Sequence, residues 1–74
     1  MNITVKKENI RQYMDVHGGE CASSTLEITV DKSLPKRAQR NLIIHSVIEN
    51  YCQSWSHDKV VSLTEDIEDA LDQL

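Results

Sequence analysis

The strictest alternation of apolar and polar positions runs through Thr25-Leu26-Glu27-Ile28-Thr29-Val30, with Leu26, Ile28 and Val30 on one side and Thr25, Glu27 and Thr29 on the other. A period of two belongs to a strand with one buried face, so a strand is expected over about 25–30. Two weaker strand patterns precede it: the β-branched Ile3-Thr4-Val5, over about 2–6, and Tyr13-Met14-Asp15-Val16, over about 12–16. The second runs into Gly18-Gly19, where glycine permits the positive φ of a turn.

Beyond Val30 the period changes. Ser33 is a capping type, and Pro35 suits a first turn whose N–H groups lack helical partners, so a helix is expected over about 34–54. At about 100° per residue, Asn41, Ile44, Ile48, Tyr51, Cys52 and Trp55 form one stripe, widened by Leu42, Ile43 and Val47. A second helix, over about 57–73, begins after the capping residue Ser56; Val60, Leu63, Thr64, Ile67, Ala70, Leu71 and Leu74 recur at three and four positions, with acids on the outer face. The short link favours an antiparallel helix pair. These elements predict an α+β fold in a single domain spanning 1–74: a small antiparallel sheet of two or three strands followed by two packed helices.

Composition narrows what such a fold can do. With 74 residues, 39% hydrophobic and no Phe, the core rests on Ile, Val and Leu plus Tyr13, Tyr51 and Trp55. Domains of this size often gain stability from a metal, disulfides or a partner chain, so a protein partner or self-association is one expectation. No apolar run approaches the roughly 18 residues of a membrane span. Cys21 and Cys52, with no secretory leader ahead of them, read as free thiols of a reducing compartment, hence a cytoplasmic protein. Twelve Asp+Glu against eight Lys+Arg, a net charge of −4, disfavour general affinity for nucleic acid, which depends on cations neutralising phosphates. The basic group Lys36, Arg37 and Arg40 reads as a solvated first helical turn.

Candidate chemistry lies in Ile43-Ile44-His45-Ser46-Val47-Ile48-Glu49. Residues four apart on a helix project on one side, so His45 and Glu49 can offer an imidazole nitrogen and a carboxylate oxygen to one ion. His57, at the start of the next helix, can fold back and complete a His/Glu/His set with an open position, which suits zinc. The plainer reading is a boundary histidine hydrogen-bonded to Glu49, with no metal. Ser46 is a poor nucleophile here, because the adjacent His45 points about 100° away on a helix. Cys21, Cys52 and His17 match no zinc-ribbon spacing, and His17-Gly18-Gly19-Glu20 needs no meaning beyond a turn.

From about Leu26 to Leu74 the order of an alternating strand, Ser33-Leu34-Pro35, Gln39-Arg40 and then Leu42-Ile43-Ile44-His45-Ser46-Val47-Ile48-Glu49-Asn50-Tyr51 resembles small phage and prophage proteins classed with the minimal zincin metallopeptidases. In these the helix reads His-Glu-x-x-Glu or His-Glu-x-x-His, and a later His precedes a last helix. The resemblance implies a zincin-like core, His45, Glu49 and His57 as metal ligands, zinc as cofactor and a host-cytoplasm location. Ser46 stands where the family has its catalytic glutamate. Serine cannot take up and release the proton of a metal-bound water near neutral pH, so the implied protein is a non-catalytic module acting by binding. The alternatives are a zinc-dependent peptidase or hydrolase with an atypical base, such as Glu20 or Glu49, and a small protein-interaction domain without metal.

Overall fold

The computed structural model describes residues 2–18 and 25–74. It is an α+β fold built in the order β1 (Asn2–Glu8), β2 (Met14–Gly18), β3 (Thr25–Asp31), α1 (Lys36–Tyr51) and α2 (His57–Leu71). The sheet has the strand order β1-β3-β2 and is mixed. The β2–β3 pair is antiparallel, as expected, whereas β1 runs parallel to β3. β3 takes the middle because it has the strictest alternation and sets three apolar residues, Leu26, Ile28 and Val30, on one face, against two in each of β1 and β2. A central strand has two neighbours and can bury a whole face, and Leu26, Ile28 and Val30 are at most 1% exposed. β1 and β2 therefore do not pair with each other. The end of β3 is tied to both: the Asp31 N–H donates to Tyr13 O at 3.1 Å and the Lys32 N–H to Glu8 O at 3.0 Å.

Register sorts the side chains. Ile3 stands beside Leu26, Val5 and Val16 flank Ile28, and Met14 stands beside Val30, so these apolar residues share one face. Leu42, Ile43 and Val47 of α1, with Met14, pack against its centre. The other face is polar: Thr4, Lys6, Asp15, His17, Glu27 and Thr29, with Lys6 Nζ 3.1 Å from Glu27 Oε1.

α1 departs from its expected stripe. Its buried residues are Gln39 and Ser46, the sheet side is Leu42-Ile43 and Val47, and Tyr51 is 64% exposed. Apolar residues cover so much of this helix's circumference that periodicity alone does not choose a face; the sheet chooses it. The helix start also differs. The side chain of Ser33 does not cap α1; its N–H and Oγ both donate to Asp31 Oδ1, at 3.0 and 2.9 Å. Pro35 is the N-cap residue, and Gln39 Nε2 anchors the turn by donating to Lys32 O and Leu34 O. α1 ends at Tyr51, short of 54, with the Cys52 N–H still bonded to Ile48 O at 2.8 Å. Ser56 caps α2 as expected, its side chain accepting from the Lys59 N–H.

α2 buries Val60, Thr64 and Glu68 in one line. Glu68, expected among the outer acids, is 1% exposed. Arg40 grips it with two parallel bonds, Nε to Oε1 and Nη2 to Oε2, each 2.9 Å. Arg37 bonds Asp72, and Arg40 Nη2 reaches Asp72 Oδ1 at 3.2 Å. Two of the basic residues expected to be solvated thus join α1 to α2. No described helix is long and apolar enough to cross a membrane.

Candidate metal centre

His45 and Glu49 lie one turn apart on α1, and their side chains already meet, with Nε2 2.9 Å from Oε2. His57 is the first residue of α2. The connection that delivers it is a tight corner, with the Cys52 N–H bonded to Ile48 O and the Trp55 N–H to Cys52 O at 2.9 Å, followed by the Ser56 cap. The corner turns His57 back so that its ring centroid is 5.1 Å from that of His45, with the planes tilted by 56°. One ligand atom from each of His45, Glu49 and His57 lies within 4.8 Å of the others. The sequence expectation that these three groups converge is met.

Zinc bonds of about 2.0–2.1 Å at tetrahedral angles set ligand atoms roughly 3.3 Å apart. The 2.9 Å contact of His45 with Glu49 is near that spacing, and small rotamer changes of the exposed His57 and Glu49 can close the rest. The donor set, two imidazoles and a carboxylate, is one that zinc accepts, and three protein ligands leave one position open. The His45 side chain is 16% exposed and that of Glu49 58%, so an ion has direct access from solvent. Lys59 Nζ lies 4.2 Å from the centroid of the Trp55 ring, two residues before His57, so the corner also carries a cation–π contact.

Ser46 is turned elsewhere. It is 6% exposed, its hydroxyl donates to Leu42 O at 2.8 Å, and its Oγ is 2.9 Å from Met14 Sδ on β2. It lines a cavity of about 280 Å³ between α1 and the sheet, whose walls include Met14, Val16 and Leu26 on one side and Glu49 on the other. Glu49 therefore belongs to both the ligand set and the cavity wall.

The other residues singled out lie apart. His17 Nε2 is 2.9 Å from Asp15 Oδ2 on the polar face of the sheet. Cys52 is a half-buried free thiol, outside the three-residue set. Gly18, the last residue of β2, has a positive φ of 76°, which glycine adopts at no steric cost. Gly19, Glu20 and Cys21 fall outside the described residues. Sequence reasoning missed the Arg37–Arg40–Glu68–Asp72 network. Its one available signal was the place of Glu68 four residues after Thr64 and eight after Val60, on the buried line of α2.

No family model matches the chain, and no curated protein or solved structure matches it.

Proposed function

We propose that this protein is a non-catalytic, zincin-like binding module that holds a zinc ion at His45, Glu49 and His57 and acts through contact with another macromolecule. By the resemblance of its helix it would serve as an accessory protein of a phage or prophage. The observation that carries the metal reading is the convergence of the three donor atoms within 4.8 Å from two helices. Zinc would supply a Lewis-acidic position open to water or to a partner's donor group. The chain's residues do the rest. His45 and Glu49 are set by the pitch of α1, and the capped corner sets His57.

The position that would hold a general base supports the non-catalytic part. Ser46 carries no carboxylate, and its hydroxyl is committed to the carbonyl of Leu42. Glu49 cannot serve as both ligand and free base. Zinc analysis of the purified protein beside a His45→Ala variant tests the reading. About one zinc per wild-type chain and a large loss in the variant are expected; negligible zinc in both removes the metal, leaving a metal-free interaction domain.

A further inference from the structure

We propose that β1 is the seam of a homodimer, in which the β1 strands of two copies pair antiparallel about a two-fold axis at Val5 and join their sheets into one of six strands. This inference rests on the sheet and is independent of the metal site.

β1 is an outer strand of the sheet, so half of its backbone N–H and C=O groups point away from β3, a ready template for another strand. It is seven residues long and exposed throughout. On the helix-covered face its branched residues remain uncovered, Ile3 at 43% and Val5 at 42%. The other outer strand, β2, has five residues, and its Met14 already packs against the core.

The charge pattern of β1 admits a second copy of the same strand and selects its direction. Asn2, Ile3, Thr4 and Val5 carry no charge, while Lys6, Lys7 and Glu8 are all charged. Parallel self-pairing in register would set Lys6, Lys7 and Glu8 beside their own copies, which repel. Antiparallel pairing about Val5 uses every residue of the strand and sets Lys6 opposite Thr4, Lys7 opposite Ile3, Glu8 opposite Asn2, and Val5 opposite Val5. No like charges then face each other. The stem of Lys7 covers Ile3 of the second copy while its ammonium stays in water, and the two Val5 side chains meet at the axis. The seam is isologous and closed. The edges that remain are the two short β2 strands, so assembly stops at six.

Sedimentation equilibrium with EDTA present, on wild type and Val5→Lys, reads the seam. Wild type sediments as a concentration-dependent dimer, and Val5→Lys loses the dimer with an unchanged far-UV circular dichroism spectrum. The register is read in a Cys21→Ser, Cys52→Ala background. Directly opposed residues of an antiparallel pair have Cα atoms about 4.5–5.5 Å apart, within disulfide reach, so Val5→Cys cross-links under mild oxidant and Thr4→Cys does not. Should Val5→Lys fail to fold, the cross-link decides alone. A wild-type protein that is monomeric at every concentration, a dimer that survives Val5→Lys, or a Val5→Cys protein that does not cross-link overturns the proposal.

Discussion

The side chain of Glu49 does two things at once: its Oε2 lies 2.9 Å from His45 Nε2, and it closes one wall of the cavity beneath α1. Its replacement therefore separates metal binding from packing. Glu49→Gln keeps the volume and a hydrogen-bonding oxygen but removes the anionic donor. It should weaken zinc at least as much as loss of a group that only orients a ligand, about 10–100-fold, with little change in stability because the side chain is largely exposed; calorimetric zinc titration measures this. At the neighbouring position the outcome is reversed. Ser46→Glu puts a carboxylate at a position only 6% exposed and removes the bond to Leu42 O, which should cost about 1–3 kcal/mol of stability. The variant should also stay inert towards peptides, because position 46 faces Met14 and not the His45–His57 side. Peptide cleavage by a zinc-loaded Ser46→Glu protein would contradict that placement.

Among the elements, those whose pattern is local were legible in the chain. The alternation of β3, the Ser56 cap of α2 and the pairing of His45 with Glu49 each depend on residues within a few positions of one another. What escaped depends on distant partners. Nothing within Ile3-Thr4-Val5 says that β3 will slide in beside it to give a parallel pair, and nothing within α1 says which of its apolar flanks meets the sheet. Glu68 looks like one more acid of an amphipathic helix until Arg40, twenty-eight residues earlier, is brought to it. The start of α1 is similar: Ser33 has a capping side chain, but Asp31 captures it, and Gln39 ties the turn down from inside the helix. Gln39 is 7% exposed and donates to two carbonyls, so Gln39→Ala should cost about 1–2 kcal/mol, measured by urea unfolding, while Ser33→Ala should cost less.

At the scale of the whole molecule the described core is thin: Leu26, Ile28, Val30 and Val60 are its buried apolar residues. Ile28→Ala should cost about 2–5 kcal/mol, a large share of the ~5–15 kcal/mol that holds a folded domain. Charge supplements the core through the α1–α2 network. The hydrogen bonds from Arg40 to Glu68 and from Arg37 to Asp72 hold both carboxyls below the usual carboxylate range. A carboxyl whose folded pKa is depressed contributes stability that is present above its unfolded value, about 4.3 for Glu and 3.9 for Asp. That stability is lost as pH falls through the folded value. Thermal unfolding midpoints should therefore drop as pH is lowered from about 5, and the drop should be smaller in Glu68→Gln, which starts less stable at neutral pH.

In the proposed function one ion unites imidazoles from two helices. Nitrogen-15 shifts of the three histidine rings, followed while zinc is added at neutral pH, test it most directly. His45 and His57 should change together and saturate at one equivalent, with His17 unmoved. Rings of His45 and His57 that keep their metal-free shifts beyond one equivalent, or that respond no more than His17, would contradict it.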